Sequence, residues 1–444
     1  MCCNNYGSIF MERQISIENL FKTKIHNKRI LLLEPNCDLQ NSNFCGLNFS
    51  LTTEYDTLYN LDNIERFANT HWDYIIGHVF HIRKFTKTEI SLFSTHNITC
   101  DTLVCDELGE GFSLNADCKR ILIDLEFDKI LKLKTVKWLT PFYDYSSIQH
   151  QYPNVEFFSE KHSGLLLFCG KSNRMIHGDT TEALRYSNKL IYGLSWKPEL
   201  KERLFLSLNN ETRTHRSLLI HYLTEENLLD KGYVSYLNPP QDLKLQINFK
   251  TYLEKLNVKR LILPWESEID EINRFGIQIN AAEKTYIDVV TESSTGLWPF
   301  KTEKCLKPFY NLQFPMIFGH EGIIQDLRDV GFDLFDDIIN HDYDDGSNQP
   351  GYINRISNDM DLTIDGYNDN KRMPFLVKEL KRLSTLDIKK IYENNKDRFL
   401  KNQQLVWDLT IKENKILYKV GKFIFGDDIE FFDTPIEDLK KVYL

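Results

Sequence analysis

The sequence predicts an α/β protein built on parallel sheets. Short apolar, β-branched runs alternate along the 444-residue chain with segments of helical periodicity. The clearest example, residues 286–332, has the pattern of strand, loop, helix, strand, glycine loop and helix. Strands that alternate with helices in this way pair in parallel, because each helix carries the chain back to the same edge of the sheet. We therefore expect Rossmann-like domains.

Composition and charge limit the class of protein. Hydrophobic residues make up 42% of the chain and aromatic residues 13%, which is typical of a globular protein of two or three domains. The formal net charge of −10 disfavours a general nucleic-acid binder, because such proteins need cations to neutralise phosphates. No apolar run approaches the ~20 residues of a membrane span, and the first residues lack a secretory signal. Nine scattered cysteines favour a location in the reducing cytoplasm, which includes the cytoplasm of an infected host cell.

The first half of the chain predicts one Rossmann-like domain, residues 1–195. Its strands are the apolar runs 28–36, 72–82 and 101–112. Polar residues at the strand ends are unranked candidates for a catalytic base: Glu34, His78, Glu107 and Glu110. A strand-end acid more often caps the next helix or meets solvent, and a histidine beside an apolar strand more often packs in the core, so both alternatives stay open.

A second domain, predicted at 196–375, begins with the strand 203–208 and a helix behind it. Arg213, His215 and Arg216 occupy the first turn of that helix. Positive charge at a helix N-terminus opposes the helix dipole, so two arginines there require either solvent or an anion. A diphosphate would satisfy both the arginines and the N–H groups of the helix start.

The segment 286–332 carries the other half of the predicted site. A strand at 286–290 leads to a loop with Glu292, and Thr302 is a plausible helix N-cap. Pro308 predicts either a kink or a helix start at Lys307–Pro308. A second strand, at 314–319, ends in Gly319 and leads through Gly322 to a helix that Gly331 ends.

Glu303 and Lys304 follow Thr302 at the start of the helix. Ligands of open parallel sheets collect at the carboxyl ends of strands, where this pair is expected to lie. A carboxylate can accept the two hydroxyls of a ribose, and a lysine can neutralise a diphosphate. The alternative is a solvated glutamate–lysine pair that binds nothing.

The run TEKCLKPFYNLQFPMIFG, with Glu292 before it, resembles the donor-binding signature of nucleotide-sugar glycosyltransferases of the GT-B fold. It is most similar to the α-fucosyltransferase pattern, in which an acidic strand end is followed by T-E-K, a helix and a V-P-V-V-x-G-like strand. FPMIFG takes the place of that strand. Similar segments occur in uncharacterised glycosyltransferase-like proteins, many of them viral. The resemblance covers the second half of the chain.

The resemblance implies a GT-B-like fold: two Rossmann-like domains facing a cleft, with a helical C-terminal segment, 376–444, packing back on the first domain. It implies transfer of a sugar from a nucleotide diphosphate sugar to a hydroxyl of a glycan or other acceptor, with inversion and without a metal ion or other cofactor. Arg213 or Arg216 would meet the diphosphate. The donor-binding residues would be Arg213, His215, Arg216, Glu292, Thr302, Glu303, Lys304, Gly319 and Gly322.

Other interpretations remain. Asp342, Asp344 and Asp345 form a D-x-D-like cluster, but the segment is rich in aspartate and we expect no helix or strand around it, so no metal site is predicted. One of the last two aspartates is a candidate for a place near the donor. The alternative functions are a non-catalytic GT-B-like structural or virion-associated protein, an epimerase with the same sheet, and a transferase that glycosylates modified DNA bases. The acidic charge disfavours the last of these.

Overall fold

The chain forms two compact units, each with its own parallel sheet. The computed structural model describes residues 23–25, 28–33, 43–44, 47–48, 54–58, 61–107, 114–140, 145–159, 194–209, 213–237, 261, 279–292, 295, 301–344 and 369–431. Unit 1 comprises Met1–Lys171 with Thr410–Leu444, and unit 2 comprises Ser172–Leu409. The prediction of an α/β protein with parallel sheets is confirmed.

Unit 1 is organised around a six-stranded parallel sheet in the order β5-β2-β6-β7-β8-β9. The strands of unit 1 are β1 (Thr23–Ile25), β2 (Arg29–Leu33), β3 (Asn43–Phe44), β4 (Leu47–Asn48), β5 (Glu54–Leu58), β6 (His71–His78), β7 (Thr99–Asp106), β8 (Thr135–Leu139), β9 (Val155–Phe158) and, near the C-terminus, Ile429–Phe431. The last of these pairs antiparallel with β1, and β3 pairs antiparallel with β4.

The described helices between the strands of this sheet are short. The α-helices are α1 (Val79–Ile82), α2 (Lys87–Thr95), α3 (Leu114–Cys118), α4 (Phe127–Leu131) and α5 (Ser146–Gln149). The segment Leu61–Phe67 is a 3-10 helix, and Lys119–Asp124 is a π-helical turn that continues α3.

The predicted strand 72–82 is wrong at its end, because the strand stops at His78 and Val79–Ile82 form α1. A short apolar run does not distinguish a buried strand from a buried helical turn. Gly77 makes the tight reversal possible: a Cβ there would lie 2.9 Å from Ile82 Cδ1 and 3.1 Å from Leu33 Cβ. The turn therefore folds back onto the strand end.

Buried apolar side chains pack on both faces of the unit 1 sheet, which explains the continuous apolar run of β2. Leu31, Ile75 and Leu103 belong to the larger core on one face. Ile30 and Ile76 pack on the other face, together with a group from the last turns of the helix Lys396–Phe425. That group is Val420, Ile424 and Phe425.

Unit 2 contains a four-stranded parallel sheet in the order β11-β10-β12-β13. Its strands are β10 (Arg203–Asn209), β11 (Gly232–Tyr236), β12 (Thr285–Thr291) and β13 (Phe314–Phe318). Its α-helices are α6 (Thr214–Glu225), α7 (Ile279–Glu283), α8 (Lys307–Tyr310), α9 (Ile323–Val330), α10 (Asp369–Leu383), α11 (Ile388–Asn394) and the start of α12 (Lys396–Phe425). The 3-10 turns are Pro198–Leu200, Leu229–Lys231, Glu303–Leu306 and Asp342–Asp344, and Gly426–Asp428 in unit 1.

The predicted caps of unit 2 are confirmed. Thr302 caps the turn Glu303–Leu306, since its side chain accepts a hydrogen bond from Lys304 N. Pro308 lies in the first turn of α8, so it marks a helix start and not a kink. Gly331 ends α9 with φ of 111°, the left-handed conformation in which glycine is favoured. The apolar run 259–264 also predicts a strand over 259–269, and this range lies outside the described residues apart from Leu261.

Both sheets have the same strand order, in which the first strand of the parallel sheet lies between the second and the third. The chain therefore reverses its direction of winding between β2 and β6 in unit 1, and between β10 and β12 in unit 2. At such a point the loops after the two strands turn away from each other and leave a crevice, where doubly wound sheets bind ligands. Among the described helices, none is long and apolar enough to cross a membrane.

Candidate functional site

The switch point of unit 2 is bridged by the first turn of α6. His215 is completely buried, and its Nε2 lies 2.9 Å from the main-chain oxygen of Glu292, the residue after β12. Because a carbonyl oxygen can only accept, Nε2 carries the proton. Burial, reinforced by the charge of Arg216, lowers the pKa of His215 well below its usual value, so the ring is neutral. Arg216 donates to the same oxygen at 3.3 Å.

Glu292 joins this helix start to the second predicted half of the site. Its carboxylate, also fully buried, accepts hydrogen bonds from Thr302 N at 3.0 Å and from Thr302 Oγ1 at 2.7 Å. Cys305 Sγ donates to it at 2.6 Å. Burial raises the pKa of the Cys305 thiol well above its usual value, and the Glu292 carboxylate adds to this effect. Glu292 thus holds the Thr302 turn in place with a side chain that the protein itself surrounds.

Lys304 and Arg213 bring positive charge to the same edge of the sheet. Lys304 is half-buried, and its Nζ donates to Thr302 Oγ1 at 3.2 Å. Arg213 is the N-cap residue of α6 and is exposed. Glu303 begins the turn after Thr302, but its side chain lies outside what the structure describes.

Gly319 and Gly322 meet two different backbone requirements. A Cβ on Gly319 would lie 2.6 Å from Ile323 Cδ1 and 3.2 Å from Glu292 Cγ, so Gly319 permits close packing after β13. Gly322 is the N-cap of α9 and has φ of 87°, a left-handed conformation that costs other residues about 1 kcal/mol or more. Both glycines therefore shape the loop that packs against Glu292.

Three neighbouring residues were missed by the sequence interpretation. Asp326 Oδ2 binds the buried Lys301 Nζ and lies 3.2 Å from His320 Nε2. Burial is the largest influence on the pKa of Asp326 and raises it, but the bonds to His320 and Lys301 together outweigh burial and hold this pKa well below its usual value. The signal available was His320 directly after a strand, with an acid in the first turns of the next helix. Lys301 gave none.

The aspartate cluster has a structural function that the sequence interpretation did not foresee. We expected no helix around it, which is wrong, because Asp342–Asp344 form a 3-10 turn. Asp344 Oδ2 accepts the N–H of Ile324 at 2.9 Å and so caps α9, and Oδ1 lies 3.4 Å from Arg372. Burial raises the pKa of Asp344 to about 6. Asp345 lies outside the described residues.

Arg372, from α10, ties the same turn to the end of β13. It is buried and donates to the main-chain oxygens of Tyr343 at 2.9 Å and Gly319 at 2.8 Å. Its guanidinium also lies 4.5 Å from the centre of the Phe318 ring. Within the described ranges, no group of three or more His, Cys, Asp or Glu side chains could hold a metal ion.

Two of the four candidate bases of unit 1 lie among the described residues. His78 is the last residue of β6 and is half-buried. Glu107 follows β7, is completely buried, and accepts a 2.9 Å hydrogen bond from Trp138 Nε1. Glu34 and Glu110 lie outside the described residues. The two described candidates therefore differ in burial, since His78 is half-buried and Glu107 is fully enclosed.

Comparisons with known proteins found no match for this chain. No family model matches the chain, and no curated protein or solved structure matches it. The structure thus defines an α/β protein with two parallel sheets.

Proposed function

We propose that the chain is a nucleotide-sugar glycosyltransferase of the GT-B type, and that unit 2 binds the nucleoside diphosphate of the donor. The observation that carries this proposal is the convergence on Glu292. Its main-chain oxygen receives His215 and Arg216, and its carboxylate receives Thr302. Two segments that the sequence connected with a diphosphate are therefore held together by one residue at a switch point.

We assign functions to six of the nine donor-site candidates. Glu292, His215 and Thr302 are buried, and the last two each bond to Glu292, so we assign these three residues to holding the site in shape. Arg213 and Lys304, which are more accessible, are assigned to the diphosphate. The dipole of α6 adds partial positive charge where the diphosphate would lie. Glu303 is proposed to contact the ribose, as its position after Thr302 suggests.

Chemically, the cations would stabilise the charge that develops on the departing diphosphate. A base in unit 1 would accept the proton of the acceptor hydroxyl. This mechanism needs no metal ion, and the choice of a glycan or another hydroxyl compound as acceptor depends on unit 1. Inversion at the sugar is part of the same proposal.

A thermal-shift screen tests the proposal. The full-length chain is heated with UDP-glucose, GDP-fucose and a CDP-sugar, each with and without EDTA. Binding to the folded state raises Tm, by an amount that grows with ligand concentration above Kd. We expect one nucleotide class to raise Tm in both conditions. If no nucleotide sugar raises Tm, a non-catalytic function replaces this one.

A further inference from the structure

The carboxyl edge of the unit 1 sheet places a histidine beside an aspartate. In the parallel pairing of β6 with β7, the last residues of the two strands, His78 and Asp106, are direct partners. Partners in adjacent strands project to the same side of the sheet, with their backbones about 4.8 Å apart. β6 is also one of the two strands that flank the switch point of unit 1.

His78 is more accessible than Asp106, as expected if the histidine meets the reactant and the aspartate orients the histidine. Asp106 is 6% exposed, whereas His78 is half-buried and so open to a reactant. The carboxylate lies deeper in the sheet, where a charge interaction with a neighbour is less screened than in water.

Among the described residues near this edge, Glu107 and Arg83 bond to other groups. Glu107 accepts from Trp138 Nε1 at 2.9 Å, and Arg83, just after α1, lies 3.2 Å from Asp117 of α3. Burial raises the pKa of the Cys105 thiol, and Glu107, Asp106 and Asp117 raise it further, so all three acids lie close to the end of β7. Asp106 is the one of these acids in register with His78.

We propose that His78 is the general base of the transfer reaction and that Asp106 is the residue that positions its ring. This inference rests on the proposed glycosyltransferase function. The imidazole takes the proton of the acceptor hydroxyl as the acceptor oxygen forms a bond to the anomeric carbon. The bond from that carbon to the diphosphate oxygen breaks, and its electron pair leaves with the diphosphate. The proton on His78 then passes to solvent, which restores the neutral base.

Kinetics of matched variants test the assignment of His78. The probes are UDP-glucose and GDP-fucose, and the readout is nucleoside diphosphate release with water or an added alcohol as acceptor. We expect His78→Gln to lower kcat by about 100-fold or more while the donor KM changes less than twofold, because a general base contributes ~10²–10⁴ in rate. Added imidazole should restore part of the rate in His78→Ala. Asp101→Asn, an acid-to-amide change at the other end of β7, should leave kcat unchanged.

The tautomer of the His78 ring tests the function of Asp106 without any substrate. ¹⁵N NMR of the full chain, with the His78 signal assigned by its loss in His78→Gln, should show one tautomer in the wild type. Asp106→Asn should mix the tautomers and lower kcat, while Asp106→Glu should restore both in part.

Normal turnover in His78→Gln would overturn the assignment and leave donor binding by unit 2 standing. An unchanged tautomer in Asp106→Asn would refute the pairing. If the wild type binds neither sugar nucleotide, the glycosyltransferase function fails, and the assignment of a base fails with it.

Discussion

His215 and Glu292, which are 77 positions apart in the chain, are joined by a 2.9 Å hydrogen bond from the ring Nε2 to the main-chain oxygen. The bond joins the start of α6, the helix after β10, to the residue that follows β12. β10 and β12 are the two strands that flank the switch point. It fixes the distance between the arginine-bearing helix start and the loop that leads to Thr302. The shape of the candidate site therefore depends on a neutral, buried histidine.

Replacement of His215 should alter the pH dependence of stability. Its pKa is lowered in the folded state, mainly by burial, so the stability that it provides is fully present above about pH 6.5 and falls as the unfolded chain takes up a proton below that pH. In wild type this proton uptake lowers the free energy of unfolding by up to about 1.4 kcal/mol for each pH unit below 6.5, and His215→Gln should remove that decrease. Urea unfolding at pH 7, 6 and 5 measures the difference. Parallel curves for the two proteins would show that His215 is not kept neutral.

The Thr302 hydroxyl should be worth a measurable part of the stability of unit 2. Thr302→Val leaves the buried carboxylate of Glu292 without its 2.7 Å donor, and we expect a loss of about 2 kcal/mol. Thr302→Ser keeps the hydroxyl and should lose less than half as much. Denaturant unfolding of the two variants gives the comparison. Equal stability of both would mean that the hydroxyl does not hold the turn.

Close packing at Gly319 predicts coupling with Ile323. Gly319→Ala should destabilise the protein by about 1–3 kcal/mol, because the new Cβ would lie 2.6 Å from Ile323 Cδ1. Ile323→Val removes that atom, so the double variant should be more stable than the sum of the single losses predicts, by about 1 kcal/mol. A double-mutant cycle in urea measures this coupling. Strict additivity would contradict the packing argument.

A buried aspartate in β12 predicts an opposite pH effect. Burial raises the pKa of Asp288 to about 7, although the charges of Lys307 and Lys201 oppose the shift. The stability that this acid provides is therefore full below about pH 4 and is lost as the pH rises through 7. Asp288→Asn should gain about 2 kcal/mol relative to wild type between pH 5 and pH 8.

Lys201 acts in the other direction, since burial lowers its pKa to about 7. Both proteins contain Lys201, so the difference between variant and wild type reports the loss of Asp288 together with its charge interaction with Lys201. Asp397→Asn, an exposed acid on α12, is the matched control. No gain for Asp288→Asn at high pH would show that the carboxylate is charged in the folded protein below pH 7.

The sequence predicted the elements around the site better than the contacts within it. β-branched apolar runs identify β10, β12 and β13, and cap residues such as Thr302 and Gly331 identify where helices begin and end, because both signals are local. The end of β6 was misplaced, since an apolar run fits a strand and a buried helical turn equally well. Local patterns thus carry the architecture.

The missed contacts are tertiary. Arg372 bonds to Gly319, which is 53 positions away in the chain, and Lys301 bonds to Asp326, which is 25 positions away. No spacing rule connects such residues, since their meeting depends on how α9 and α10 pack. Glu292 could be predicted as a site residue from its position after a strand. Its enclosure by Thr302 and Cys305 could not, because burial of a carboxylate is decided by the fold.

The proposed function is tested most directly by calorimetric titration of the nucleotide sugars into wild type and Lys304→Ala, with Lys389→Ala, an exposed lysine on α11, as the control. We predict that one nucleotide sugar binds the wild type and the control equally, and that Lys304→Ala weakens binding at least tenfold with little change in Tm, because a charge-assisted contact to phosphate is worth about 1.5–3 kcal/mol. Equal binding to all three proteins would contradict the assignment of this site, and no binding to the wild type would contradict the proposed function.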